Sequence, residues 1–373
     1  MTDDQHLKDW LTLTLTPGLG AAGCRLLIDH FGSPGRVLAA SRRELEQVGT
    51  LRKAALAAIG GEERSRAATM MLQKVRAAGL FLLCWDDPAF PPLLRAIHDP
   101  PVLLYVKGEV AAIASAAIAV VGARAASTYG LQMAERFAGD LARRGITIVS
   151  GMALGIDSAA HAGAVAAGGK TVAVLGCGLD IVYPAQNRKL FESIAATGAL
   201  VSEYPPGTPP DSFRFPARNR IISGLSLGVI VVEAARRSGS LITAQLALEQ
   251  GREVFAIPGR IDSGKSEGTH RLLQDGAKLI HSVADIMDEL TVGQPSPGDH
   301  PRAADPGNAA PMDLDPAGRL VLTTLDVYPQ SVDAIIVATG LPARQVTEQL
   351  LLLELRGLVE PLPGGQYHRK SRQ

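Results

Sequence analysis

Cysteine is scarce: three residues, Cys24, Cys84 and Cys177, with no CxxC pair among them. That is too few for a disulfide scaffold or a four-thiolate zinc site, and it fits a reducing compartment. An excess of one charge sign is also missing. Thirty-seven Lys and Arg balance thirty-seven Asp and Glu, so any nucleic-acid binding has to come from a local concentration of cations. No stretch approaches ~20 uninterrupted apolar residues, and the start MTDDQHLKDW is acidic where a signal peptide needs a basic start and an apolar run. These absences predict a soluble, cytoplasmic chain with no membrane span. The eight histidines are scattered, and His161 in IDSAAHAGA has neither a histidine at i+4 nor an HExxH context, so no metal is expected. No GxSxG elbow is present, Ser238 and Ser240 have no base partner in sequence, and the phosphate loop GxxxxGK[ST] is absent. Aromatics are sparse at 4%, whereas 39 glycines and 24 prolines suit tight turns. At 373 residues and 46% hydrophobic, the chain is no disordered tail and has room for two or three domains.

Residues 1–78 read as a small helical domain. The stripe of LKDWLTLTL, the turn Pro17-Gly18-Leu19-Gly20 and the amphipathic CRLLIDHFG are followed by a degenerate copy in RELEQVGTLRKAALAAIGG. Such hairpins can turn backbone amides towards DNA phosphate or form a protein-contact module, and both readings stand at this point. From 79 to 290 apolar runs alternate with helix-length segments ending in glycine: LFLLCW, VLLYV, AIAVV, ITIVS, TVAVLG, ALVSE, GVIVVE, EVFAI and AKLI. Strands apolar on both faces belong in a parallel sheet covered by helices on each side, which predicts an open, doubly wound α/β domain. Residues 291–314 lie in a stretch rich in proline and glycine that lacks apolar periodicity, a linker. Residues 315–373 read as three short helices and a hairpin, the outline of a winged helix. Its third helix, with Arg344 and Arg356 against Glu348 and Glu354, is nearly neutral, so protein contact or dimerisation is favoured over DNA reading.

In an open α/β sheet ligands bind beyond the carboxyl ends of the strands. Three small-residue loops are expected to converge there: GARAASTYG with Arg124, the exit Ser150-Gly151 leading to Gly155 and Asp157, and AARRSGS with Ser238, Gly239 and Ser240. No GxGxxG opens the first crossover; Gly176-Cys177-Gly178 has Ile181 at the third glycine position, though Glu203 ends the next strand. No nucleotide cofactor is expected. The densest cation cluster is DSFRFPARNRI followed by Arg236 and Arg237, five arginines against the single acid Glu233 between 214 and 237. Arg214, Arg218 and Arg220 can grip phosphates, while Phe213 or Phe215 offers a base a platform, with at least one of the two expected in the core. Single-stranded nucleic acid is the natural ligand. Arg124→Ala and Arg218→Ala are each expected to weaken binding with the fold intact. Lys170, before TVAVLG, is either a contact or a solvated turn lysine.

The motifs VVGARAASTYG, VSGMALGIDSAAHAGAV, VAVLGCGLDIVYPAQNRKL, FPARNRIISGLS and EAARRSGSLITAQLALEQGREVFAIPG together resemble the DNA-processing protein A (DprA/Smf) family, almost continuously from about residue 85 to 290. The N-terminal region resembles the family's sterile-alpha-motif-like domain more loosely, and the C-terminal segment its winged helix. The resemblance implies an extended Rossmann-like fold that binds single-stranded DNA, dimerises and helps load the RecA recombinase during natural transformation. It also implies that Arg124 and the segment Phe215, Pro216, Arg218, Asn219 face the strand, with Ala123 where many members have serine. The rival is an enzyme: nucleotide phosphoribohydrolases share this architecture but carry a catalytic glutamate where this chain reads Arg237 to Thr243, with no glutamate before Glu249. The expected protein therefore binds and does no chemistry.

Overall fold

The computed structural model describes residues 3–49, 51–290, 314–325, 330–362 and 365–369. Residues 291–313 of the expected linker lie outside them. The chain divides into two compact units, Met1–Gly293 and Gln294–Gln373.

The first unit is built on nine strands: β1 (Phe81–Cys84), β2 (Leu103–Gly108), β3 (Ala117–Val121), β4 (Thr147–Ser150), β5 (Thr171–Leu175), β6 (Ala199–Ser202), β7 (Gly228–Val231), β8 (Glu253–Ala256) and β9 (Lys278–Leu279). Their order is β1-β2-β6-β5-β4-β3-β7-β8-β9, and every pair from β6 to β9 is parallel. Alternation along each strand divides the core in two. Ile118 and Val120 of β3 meet helices Thr128–Arg143 and Ile156–Ala166, whereas Ala119 and Val121 meet Ile221, Ile222, Ala244 and Ala247 from helices Arg214–Gly224 and Gly239–Glu249. Helices on both faces explain why these strands carry no polar side.

The first two runs depart from the expected parallel pattern. β1 pairs antiparallel with β2, and β2 antiparallel with β6. Between β1 and β2 the only helix is the single turn Pro92–Arg95, where a parallel crossover needs a covering helix.

Six helices precede the sheet: Asp4–Thr14, Gly20–Phe31, Pro34–Ala39, Arg42–Gln47, Lys53–Ala58 and Glu62–Ala77. They share one apolar cluster with the sheet, in which Trp10, Leu11 and Leu27 join Tyr105, Leu175 and Leu200. The Pro17–Gly20 turn sends Leu19 into that cluster, so this part of the turn serves packing. Trp10 is fully buried and its indole N–H donates to Asp86 Oδ1 at 2.9 Å, tying the first helix to the loop after β1.

In the second unit, helices Pro316–Thr324, Val332–Thr339 and Ala343–Leu355 enclose Val321, Leu322, Ile335, Val346 and Leu350. Strands β10 (Gln330–Ser331), β11 (Val359–Leu362) and β12 (Gln366–Arg369) pair antiparallel in the order β10-β12-β11, the wing of a winged helix. Pro363 and Gly364 of the expected turn lie outside the described residues. The third helix exposes Leu351, Leu352 and Leu355 beside Arg344 and Glu348, a face more apolar than basic. Among the described residues no helix is long and apolar enough to cross a membrane.

Candidate functional site

The chain winds one way from β3 through β4 and β5 to β6, and the other way from β7 to β9. The carboxyl ends of β3 and β7 are therefore the switch point of the sheet, where a crevice is expected. A crevice of about 600 Å³ lies there. Its walls are Gly122 and Arg124 after β3, Ala153 and Asp157 after β4, Tyr183 after β5, Ser238 to Ser240 and Thr243 after β7, and Asp211, Phe215, Arg218 and Asn219. The last three come from the helix Arg214–Gly224, in which positions 215, 218, 219 and 222 recur on one face. A narrower recess of about 80 Å³ opens beside Tyr183, Phe215, Leu175 and Cys177.

Arg124 is exposed, and its guanidinium carbon stands 5.5 Å from the centre of the Phe215 ring. Phe215 also stacks on Tyr183, with 5.6 Å between centroids and 21° between planes. An arginine over an aromatic face keeps its fork free for an anion while the ring holds its stem. Neither phenylalanine is a core residue, contrary to expectation: Phe215 is half-buried in this stack and Phe213 is 65% exposed.

Arg218 is placed differently from the expected phosphate contact. It is 5% exposed, and its Nη1 donates to Gly151 O at 2.7 Å and to Val174 O. Burial pushes its pKa down to about 10, against the pull of Asp157. It forms the floor of the crevice, pinning the exit of β4 to β5. Ser150 is likewise fully buried, its hydroxyl donating to Val120 O at 2.6 Å, so it holds β4 to β3 and faces no ligand. The loop amides are partly spent as well. Asp157 Oδ2 accepts from Gly151 N at 3.1 Å and from Ala153 N at 3.3 Å, and Ser127 N donates to Glu233 Oε2 at 2.8 Å. Burial raises the Asp157 pKa, with Arg218 opposing. The expected amide cradle is thus largely an internal device, and the exposed cation in the crevice is Arg124.

Three further expected residues lie elsewhere. Lys170 precedes β5 at its amino end, the rim opposite the crevice, and pairs with Glu109 Oε1 at 2.6 Å. Arg220, two positions and about 200° around the helix from Arg218, pairs with Glu203 Oε2 at 2.6 Å and Asp99 Oδ2 at 3.3 Å. Arg214 donates to Pro209 O and lies over Tyr204 and Phe213, with 5.4 Å and 5.0 Å to the ring centres. Asn219, Phe215, Ser238, Gly239 and Ser240 do line the crevice. Ser238 caps the helix Gly239–Glu249 by accepting from Ser240 N. Tyr183, in the loop after β5, and Asp211, at the head of the arginine-rich cluster, are crevice residues that residue type and spacing do not single out.

Among the described residues, His6, Cys84 and Asp86 lie close enough to share a metal ion. Asp86 already holds Trp10 and His6, and burial raises the Cys84 thiol, so this trio fits a structural tie better than a metal.

His161 lies under β4 and β5, fully buried. Its Nδ1 is 2.6 Å from Thr171 Oγ1, whose own proton goes to Ile148 O, so Nδ1 carries the hydrogen and Nε2 is left without a partner. Burial depresses its pKa to about 3. A depressed base is stabilising above the unfolded value near 6.5 and loses that contribution as pH falls towards 3. Between pH 7 and pH 5 the loss is about 2 kcal/mol. Urea titrations at the two pH values should show that difference in the parent and a smaller one in His161→Gln; equal losses would refute the assignment.

The chain matches the family model for DNA recombination-mediator protein A over residues 81–291 and that for the DprA winged helix domain over residues 304–365. It is 35% identical to Protein Smf of Synechocystis over 97% of this chain and 98% of that one. The solved DNA processing protein A of Streptococcus pneumoniae superposes with a TM-score of 0.67 at 38% identity, over 75% of this chain and 97% of that chain. Its counterpart from Helicobacter pylori, described for its single-stranded DNA binding mode, gives 0.52 at 33% identity over 56% and 94%. With family models covering residues 81–291 and 304–365 and a relative 35% identical along nearly the whole of both chains, the chain belongs to the DNA recombination-mediator protein A (DprA/Smf) family.

Proposed function

We propose that this protein binds single-stranded DNA in the switch-point crevice, shields it, and helps load the RecA recombinase during homologous recombination and natural transformation. It acts as a cytoplasmic homodimer and hydrolyses nothing. The observation carrying this reading is Arg124, exposed above the Phe215–Tyr183 stack at the mouth of the crevice. A guanidinium recognises a phosphate oxygen in any sequence context, and aromatic faces accept any base, so binding by this pair is sequence-tolerant. The Helicobacter pylori relative, named for binding single-stranded DNA, supports the ligand class; the recombination-mediator description of the family supports the role with a recombinase. Against the phosphoribohydrolase alternative, Glu249 ends the helix that begins at Gly239, ~9 Å along the axis beyond Thr243, the last residue of that helix to line the crevice. Of the crevice carboxylates, Asp157 is engaged with two backbone amides.

A mobility-shift titration of single-stranded against duplex DNA at two salt concentrations tests the proposal. The parent should prefer the single strand. Arg124→Ala should bind it roughly ten- to hundredfold more weakly, the range for a lost charge-assisted hydrogen bond, with the slope of log K against log salt smaller by about 0.7. Equal affinity of variant and parent would overturn the site. Turnover of a nucleoside monophosphate that depends on Arg124 would favour the enzyme.

A further inference from the structure

We propose that the single strand, on leaving the crevice, crosses a second anion-binding surface built by Arg236, Arg237 and Arg271. The inference rests on the single-stranded DNA reading above and extends it to a binding path.

A concavity of about 660 Å³ lies between the segment after β7 and the helix Glu267–Gln274, lined by Ala235, Arg236, Arg237, Gly264, Glu267 and Arg271. It adjoins the crevice along the chain. Residues 235–237 line the concavity and Ser238 to Ser240 line the crevice, so adjoining stretches of one loop serve both. Arg236 and Ser238 stand at most ~7 Å apart along the chain.

Among the described residues the charge of Arg236 and Arg237 is uncompensated, as is that of Arg124 in the crevice, while several other exposed arginines are paired. Exposed arginines at 42, 66, 143 and 260 pair with Glu46, Glu62, Asp140 and Asp262. Arg236 and Arg237, both exposed, form no ion pair or hydrogen bond among the described residues, and Lys265, next in the chain to the lining Gly264, is exposed too. Glu267 is the one acid lining the concavity, and Asp275 stands 3.6 Å from Arg271 on the outer helix surface, where both side chains are well exposed. Adjacent guanidinium groups repel one another, and a polyanion crossing both removes that repulsion while releasing its own counterions. A single nucleotide fills the crevice alone; only a longer strand reaches both places. The two arginines thereby set the length of the footprint.

The test compares thymidylates of one and about twenty nucleotides, the first confined to the crevice and the second longer than one module's known single-strand site size. Binding of each to the full chain is measured for the parent, Arg236→Ala/Arg237→Ala, Arg236→Lys/Arg237→Lys and Arg124→Ala, with thermal melting of every variant. The double alanine variant should lose about tenfold on the long oligomer, with a salt slope smaller by about 1.4 for two phosphates, and keep its affinity for the short one. The lysine variant should keep the slope. Unchanged long-oligomer binding in the alanine variant, with the parent and Arg124→Ala behaving as proposed, overturns the path alone. Equal losses on both lengths overturn it too, by placing these arginines in the crevice itself. A parent that does not bind the twenty-nucleotide strand overturns the single-stranded DNA reading and the path with it.

Discussion

Arg218→Ala is expected to destabilise the first unit by about 3 kcal/mol, where the sequence alone led us to expect a loss of affinity with the fold intact. The guanidinium donates from inside the sheet to Gly151 O and Val174 O. Truncation leaves both carbonyls buried without these donors, at about 1–3 kcal/mol each, and adds a cavity. It also removes the positive charge that opposes the burial of Asp157. Two effects work the other way. The buried Nε has no partner, and the depressed pKa of the side chain shows that burying it is itself costly. They reduce the loss without reversing it, because the carbonyls belong to strand ends that cannot turn to solvent. Urea unfolding should place Arg218→Ala well below the parent and Arg124→Ala within about 0.5 kcal/mol of it, as for an exposed side chain. Arg218→Lys should fall between, since an ammonium lacks the planar fork. An unchanged midpoint together with lost DNA affinity would move Arg218 from the floor of the site onto the ligand.

The contrast between Arg124 and Arg218 shows how far this site was legible beforehand. The parallel strands from β3 to β8 stand where the apolar runs lie, because a strand covered on both faces has no polar position to disguise it. The loops after β3 and β7 followed directly, since in such a sheet the carboxyl ends share one rim. What the linear pattern hid was rotation. FRFPARNRI reads as a dense cluster of cations, but on a helix it splits: Phe215, Arg218 and Asn219 face the crevice, while Arg220 turns away to Glu203 and Asp99. Helical periodicity applied to that segment would have separated Arg220 from the rest. Depth was the second hidden quantity. Arg124 and Arg218 look alike in sequence, and only the packing of Gly151 against the Arg218 guanidinium, where a Cβ would fall 2.5 Å from Nη1, shows that one lies beneath the backbone and the other above it. Of the two readings of Lys170, its place before the strand favours the turn lysine over the contact, since residues that precede parallel strands sit on the other rim. Tyr183 lies inside one of the motifs that carry the resemblance, but its stacking on Phe215 exists only in three dimensions.

Gly155→Ala is expected to abolish most of the affinity for single-stranded DNA although Arg124 is left in place. Gly155 has φ of 81° and ψ of −127°, a conformation that L side chains avoid. A Cβ there would lie 2.3 Å from Ala123 O and 2.4 Å from Arg124 O. Those oxygens are backbone, so relief requires moving the loop that carries Arg124, and Ile156 N, which donates to Ala123 O at 3.2 Å, moves with it. Strain and overlap together should cost about 3 kcal/mol of stability, and the displaced arginine should lose its phosphate. Gly168→Ala separates the two causes: φ there is 71° and nothing lies within 4 Å of the added carbon. It should cost about 1 kcal/mol through backbone strain alone and leave binding unchanged. In the double variant Gly155→Ala/Arg124→Ala the affinity losses should fail to add, since each substitution removes the same contact. Full additivity would show that the loop after β4 meets the strand on its own account; parental affinity in Gly155→Ala would show that the two loops are not coupled at all.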